Sequence, residues 1–255
     1  MKNWIVVPLY NEEMRFNVNY WETITDTNKF HFLFVNDGST DNTNLVLSKL
    51  NNPNVHILSL QRNVGKSEAI RAGLLHAKTQ SPSTVRLLGY LDSDAAFNAL
   101  EIKDILERAE QIFYDFGLDA LWMSRVKLAG RKIERRAVRH YIGRLIASFL
   151  GRGIPEFPYD TQCGFKLFKS SPLLFEVLNT KFQTRWFVDL EILSRIMNEK
   201  SDLISIRELP LENWREVENS RIRLRSFLSI SKEILAIRRT LVSLVGGGKN
   251  GSARN

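Results

Sequence analysis

The sequence predicts an α/β fold, a mostly parallel sheet with helices on both faces. Three observations predict it. Short apolar runs at Trp4–Pro8, Phe30–Val35, Val55–Leu60 and Val85–Leu91 alternate with segments of helical period. Several of these runs stop at polar loops or turns rather than at another apolar segment. The chain has 255 residues, 44% hydrophobic and 25% charged, which suits one large domain with a substantial core.

Trp4–Pro8 reads as a buried strand ended by proline. Phe16, Val18, Tyr20 and Trp21 give the next segment a helical spacing. Phe30–Val35 is a second strand, stopped by Asn36-Asp37-Gly38-Ser39, and Leu45, Val46 and Leu50 suggest a helix capped by Thr40 or Asp41. Val55–Leu60 is a third strand and Ser67–Ala77 a helix, with Ala69, Ile70, Ala72, Leu74 and Leu75 as its apolar positions. Val85–Leu91 is a fourth strand ending at Asp92-Ser93-Asp94. In Ile102–Phe116 the apolar residues 102, 105, 106, 109, 112, 113 and 116 mark an amphipathic helix. Leu118–Met123 is a further strand. Ala137–Leu150 reads as helix, closed by Gly151, Gly153 and Pro155. Phe187–Met197 reads as helix, Leu203–Leu209 as strand and Phe227–Val245 as helix. Residues 1–220 are thus expected to form the main domain and 221–245 an amphipathic C-terminal helix. The Gly-, Ser- and Asn-rich residues 246–255 are expected to be a disordered tail.

Several classes are excluded. One cysteine permits neither an intramolecular disulfide framework nor an all-Cys zinc site. No run of 18 residues is apolar and uncharged, so no transmembrane helix is expected, and charges follow the first apolar run too soon for a signal peptide. The histidines at 31, 56, 76 and 140 have no metal-ligand spacing. The net charge of +8 is concentrated. Arg125, Lys127, Arg131, Lys132, Arg135, Arg136, Arg139, Arg144 and Arg152 face only Glu134 within 125–152. Arg221, Arg223, Arg225, Lys232, Arg238 and Arg239 face only Glu233 within 221–245. Such clusters serve as solvated faces or meet nucleic acid, phosphorylated substrates or anionic membranes. Only Tyr141 and Phe149 interleave with the first cluster, too few aromatics for base stacking, so nucleic acid is disfavoured.

Three turns carry chemistry. Asp92-Ser93-Asp94 places two carboxylates past a strand, where they can share Mg²⁺ or Mn²⁺ or simply charge the start of the next helix. Asn36–Asp41 offers a carboxylate and backbone N–H groups, or is a plain turn and cap. Arg62-Asn63-Val64-Gly65-Lys66 precedes a helix and suits a phosphate at its N-terminus, without Walker spacing. In open sheets such loops meet ligands beyond the carboxyl ends of the strands.

In order, Val7–Glu13, Val35–Asp41, Arg62–Lys66 and Asp92–Asp94 resemble the family 2 glycosyltransferases of the GT-A fold. Ser124-Arg125, Asp160–Phe168 and Arg185–Leu193 are similar to the polyprenyl-phosphate branch, nearest to dolichyl-phosphate glucosyltransferases. The resemblance covers roughly residues 3–215. It implies an inverting transfer of a hexose, UDP-glucose favoured as donor, to a polyprenyl phosphate. It implies that Pro8, Tyr10, Glu12 and Asp37 embrace the nucleoside, with Lys66 on the donor side. Asp92 would face nucleotide and metal, and Asp94 would bind the metal directly. Arg125 and Arg139 would meet the acceptor phosphate, and Asp160 lies in the segment closing around the reacting sugar. Mannosyltransferase relatives often carry Gln at the position of Ala96, which lowers the mannose reading and leaves the third metal ligand unassigned. The implied location is the cytoplasm, at the cytoplasmic face of a membrane, with 221–245 as a peripheral membrane element or a packing helix.

Two rivals stay open. The same fold with a glycan or other hydroxyl acceptor would need a general base, with Asp160, Asp189 or Glu191 as candidates. A basic membrane- or nucleic-acid-binding module would leave the acidic turns purely structural.

Overall fold

The computed structural model describes residues 3–80, 86–154, 157–199, 204–217 and 227–247, without the side chains of Arg139, 227–229 and 242–247. The chain runs β1 (Asn3–Leu9), α1 (Val18–Thr25), β2 (Phe30–Asn36), α2 (Thr43–Leu47), β3 (Val55–Ser59), α3 (Lys66–Gln80), β4 (Leu87–Leu91), α4 (Ala99–Phe116) and β5 (Ala120–Ser124). It continues β6 (Lys132–Glu134), α5 (Ala137–Gly151), β7 (Phe165–Lys169), α6 (Pro172–Asn179), α7 (Val188–Glu199), β8 (Ile206–Pro210), β9 (Asn213–Arg215) and α8 (Phe227–Gly247).

Seven strands form one sheet in the order β3-β2-β1-β4-β7-β5-β8. All neighbours are parallel except β7, which is antiparallel to β4 and β5. Alternate residues of the central strands feed two cores. Ile5, Val7, Phe32 and Phe34 pack with Trp21 and Ile24 of α1 and with Ile102, Leu106 and Phe113 of α4. Trp4, Val6, Leu33 and Val35 pack on the other side with Ala69, Ile70 and Leu74 of α3 and with α6 and α7. Burial on both faces is why these strands read as continuous apolar runs. Local chemistry sets the helix ends. Asn98 accepts from the Glu101 N–H at the start of α4, and Gly117 closes it at φ 57. Ser171 caps α6, with Pro172 in the first turn.

The chain moves outward from β1 to β2 and β3, then crosses back to β4 on the other side of β1. The reversal between β1 and β4 opens a crevice at their carboxyl ends. β7 was not expected from the sequence. Phe-Lys-Leu-Phe-Lys alternates like a half-exposed strand, yet Lys166 is fully buried. The register Leu91↔Phe165 carries Gly164 to the end of β4, where its carbonyl accepts from the Asp92 N–H at 2.8 Å. A small parallel sheet of β6 and β9 was also unexpected. It brings Trp214 beneath the Arg125 guanidinium, 5.0 Å from the ring centre.

The C-terminal helix was expected over 221–245. The described helix is α8, and 221–226 lie outside the described residues. Its apolar positions Ile230, Ile234, Ile237 and Leu241 pack on Leu150 and Ile154 at the end of α5 and on Phe187 and Leu190 at the start of α7. That face lies against the domain, so it does not serve as the membrane-facing surface. Of the expected tail, Gly246 and Gly247 belong to α8, and 248–255 lie outside the described residues.

Candidate active site

The site is built where β1, β2 and β4 end. Two loops are zipped together there. The Asn11 N–H donates to Ser39 Oγ at 2.8 Å, and the Thr40 N–H donates to Asn11 Oδ1 at 2.8 Å. The Glu12 N–H donates to Thr43 Oγ1 at 2.8 Å. Glu13 takes the Asn42 N–H at 3.1 Å and its side-chain amide at 2.8 Å. Asn11 holds φ 49, a conformation asparagine tolerates better than most residues. Glu12 is buried and pairs with Arg15 at 2.5 Å. Pro8 lies half-buried near the end of β1, beside Val35 in register, and Tyr10 follows the strand, half-buried.

Asp37 leaves β2 buried, and three N–H groups meet its carboxylate. The Val64 N–H donates at 2.7 Å, the Gly65 N–H at 2.9 Å and Asn63 Nδ2 at 3.0 Å. Burial still pushes its carboxyl above the ordinary value against those donors. Asp37 thus anchors the Arg62–Lys66 loop, which the sequence treated as a separate motif. Gly38 is required where the two meet. Its φ is 64, and a Cβ there would stand 2.4 Å from the Arg62 carbonyl carbon. Arg185, which sequence reasoning did not assign, lies over Gly65 and donates to Asn63 Oδ1 at 2.6 Å. Its only signal was its place beside Trp186 in a matched segment.

Lys66 opens α3 and pairs with Asp92 Oδ1 at 2.5 Å. Burial opposes its charge, but Asp92 outweighs burial and holds the ammonium above the usual lysine range. Asp94 accepts from the Ala96 N–H at 3.2 Å, and Ala95 between them takes φ 53. The Asp94 carboxyl is pushed up to about 6, by burial first and by the Asp92 charge second. A carboxyl raised by burial and by a neighbouring carboxylate charge suits a hard divalent cation, which relieves the repulsion. The carboxylate oxygens match Mg²⁺ or Mn²⁺ better than zinc. Among the described residues no three His, Cys, Asp or Glu are grouped to hold a metal. Substrate phosphates and water would complete such a shell. Gly164 is fixed by this corner, because a Cβ on it would stand 2.1 Å from Asp92 Oδ2.

The other wall differs from expectation. Arg125 was expected to present its fork to an acceptor phosphate. Instead its Nε donates to Asp160 Oδ2 at 2.7 Å and its Nη2 to Oδ1 at 2.8 Å, with its backbone N–H on Oδ2 at 2.9 Å. Burial opposes the charge on each partner, but the pairing wins. Asp160 is held far below the ordinary carboxylate range, and Arg125 above the usual arginine value. Arg125 therefore sets the position of Asp160. Arg135, which the sequence placed only within a cluster, feels the Arg125 charge, and burial and that charge lower its pKa. Arg139 lies on α5, and its side chain is outside the described residues.

Asp160, Asp189 and Glu191, the candidate bases, are all engaged. Asp189 is buried 3.5 Å from Lys166 Nζ. Glu191 accepts from Gln183 N at 2.8 Å, Thr184 N at 2.8 Å, Thr184 Oγ1 at 2.7 Å and Arg195 Nη2 at 2.6 Å. It ties the loop before α7 to that helix.

Residues 4–171 match the family model described as glycosyl transferase family 2. A dolichyl-phosphate beta-glucosyltransferase of Trichomonas vaginalis is 30% identical over 254 residues, 91% of this chain and 71% of its own length. The Homo sapiens dolichyl-phosphate beta-glucosyltransferase is 29% identical over 92% of this chain and 74% of its own. Among solved structures, glucosyl-3-phosphoglycerate synthase from Mycobacterium tuberculosis with phosphoglyceric acid superposes with a TM-score of 0.65 at 17% identity, over 96% of this chain and 80% of that one. The chain also matches a longer structure, S. aureus TarS 1-349, at a TM-score of 0.52 and 19% identity, over 59% of that chain's length. These solved neighbours share the GT-A fold. The chain belongs to glycosyl transferase family 2 and is a glycosyltransferase.

Proposed function

We propose that this enzyme moves glucose from UDP-glucose to a polyprenyl phosphate with inversion at the sugar, at the cytoplasmic face of a membrane. The observation that carries the acceptor class is the state of the three candidate bases. Asp160 is locked to Arg125, Asp189 pairs with Lys166, and Glu191 is filled by four donors. A hydroxyl acceptor needs one of them free to take a proton. A phosphate monoester is already anionic near neutral pH, with a second pKa of about 6, and needs only to be placed. The names of the relatives, dolichyl-phosphate beta-glucosyltransferases, agree with that chemistry.

On the donor side, the loops carrying Pro8, Tyr10, Glu12 and Asp37 form a pre-built cradle for the nucleoside, closed from above by Asn63 and Arg185. A divalent cation on Asp92 and Asp94 would neutralise the departing diphosphate as a Lewis acid. A Mycobacterium tuberculosis neighbour of the same fold was crystallised with Mn²⁺ and UDP. Lys66, charged and beside Asp92, would add a second positive charge for the diphosphate. On the acceptor side, Arg135 and Arg139 hold the lipid phosphate, while Arg125 keeps Asp160 ionised and facing the sugar. The acceptor oxygen attacks the anomeric carbon as the bond to UDP breaks on the opposite face, so the configuration inverts.

The test is a product assay with UDP-glucose, offered a short-chain polyprenyl phosphate, the matching polyprenol and a glucan oligosaccharide. Glucose should appear on the phosphate alone. Transfer to the alcohol or the glycan at a comparable rate would contradict the acceptor assignment.

A further inference from the structure

Helix α5 turns an apolar face outward. Ala147 and Leu150 are buried, and Leu150 packs in the core shared with α7 and α8. Arg238 of α8 fixes the end of the helix from behind by donating to the Leu150 carbonyl at 2.9 Å. The opposite side carries Val138, Tyr141, Ile142, Leu145 and Phe149. These fall at the 3,4 spacing of a single helical stripe, and all five are exposed, Val138 and Leu145 each at 70%. Scattered exposed apolar residues need no explanation, but a continuous stripe along one helix marks a contact surface.

Charge says what covers it. Arg135 and Arg136 lead into the helix, Arg144 lies on it and Arg152 follows it. They belong to the 125–152 segment, where nine basic residues face one acidic one. An apolar stripe bordered by arginines fits an anionic lipid interface, with the stripe among the acyl chains and the guanidinium groups at the headgroups. α5 also borders the acceptor side of the site. A Cβ on its Gly143 would stand 2.9 Å from Arg135 Nη2 and 3.7 Å from Gln162 Oε1. A helix lying in the interface there would bring the crevice to headgroup level, where a lipid phosphate sits.

We propose that α5, and not the face of α8, is the element that docks this enzyme on a membrane of anionic phospholipids. The proposal serves the lipid-acceptor reading, but it is measured without substrate, so the two can fail separately.

The experiment is co-sedimentation of the full chain with phosphatidylcholine vesicles, with and without phosphatidylserine, at low and high salt. The Val138→Ser/Leu145→Ser/Phe149→Ser variant is run beside it. All three sites are exposed, so the variant should fold and should bind UDP in calorimetry as the parent does. The parent should sediment with the anionic vesicles and be released by salt. The variant should lose at least about tenfold in partition. Failure of the parent to bind anionic vesicles at low salt, or equal binding by the variant, overturns the proposal. So does a parent dimer in sedimentation velocity that the variant converts to monomer while vesicle binding is unchanged, since the stripe would then be covered by a second copy of the chain.

Discussion

Arg125 and Asp160 show how a single contact changes a residue's role. Both were candidates because the family resemblance put Arg125 at the acceptor phosphate and Asp160 in the segment closing around the reacting sugar. In the folded chain they neutralise each other through two side-chain bonds in a buried place. Removing one partner strands the other. Arg125→Ala should therefore cost about 3–5 kcal/mol of stability, while Arg125→Met/Asp160→Leu should cost much less. Chemical denaturation of the three proteins tests this. The pH dependence has a definite sign. The folded Asp160 carboxyl lies below its unfolded value of about 3.9, so the pair's contribution is fully present above that value and fades as pH falls through the folded pKa. The advantage of the parent over the double variant should hold at neutral pH and shrink only in strong acid. A loss near pH 6 would point to a different group. Gly164 gives a second prediction at this scale. Gly164→Ala drives a methyl into the Asp92 carboxylate, so transfer should fall sharply while stability drops by only about 1–3 kcal/mol. A variant with unchanged activity would show that Asp92 does not need its present place.

At the scale of elements, the first half of the fold could be read because β1, β2 and β4 are buried on both faces and each helix keeps its period. β3 is a partly exposed edge strand that still reads as an apolar run, and the junctions among β1 to β4 and α3 to α4 hold Asp37, Lys66, Asp92 and Asp94. β7 escaped because its central lysine is buried. Lys166 is paid for by the nearby Cys163 carbonyl at 2.7 Å and by Asp189 and the Trp122 ring, which are distant in sequence. No local pattern announces such a residue. The same limit hid Arg185, whose role depends on α8. Glu233 of α8 accepts from the Arg185 N–H at 3.0 Å and the Trp186 N–H at 3.3 Å, and so holds the loop that covers Gly65. The amphipathic period of α8 was visible in the sequence, but not which surface it meets. Glu233→Ala should loosen that loop, raising KM for UDP-glucose several-fold with a smaller change in kcat. A drop in kcat alone would sever the link between α8 and the donor loop.

Over the whole molecule, the acidic turn after β4 and the basic segment 125–152 are separate regions of charge. Asp92 and Asp94 follow the end of β4, and the arginines gather along the segment of β5, β6 and α5. The motif order made the family legible, because glycine turns and carboxylates recur at fixed places even where helices drift. The other wall was less legible, since Arg125 after β5 and Asp160 before β7 meet only in the folded chain. The measurement that bears most directly on this account is transfer of glucose from UDP-glucose to a short-chain polyprenyl phosphate by the parent and by Asp94→Asn, each with Mn²⁺ and with EDTA. The parent should form the glucosyl phosphate lipid with Mn²⁺ and stop with EDTA, and Asp94→Asn should be slower by about 100-fold or more with its fold intact. Undiminished turnover by the parent in EDTA, or turnover by Asp94→Asn with Mn²⁺ equal to that of the parent, would contradict it.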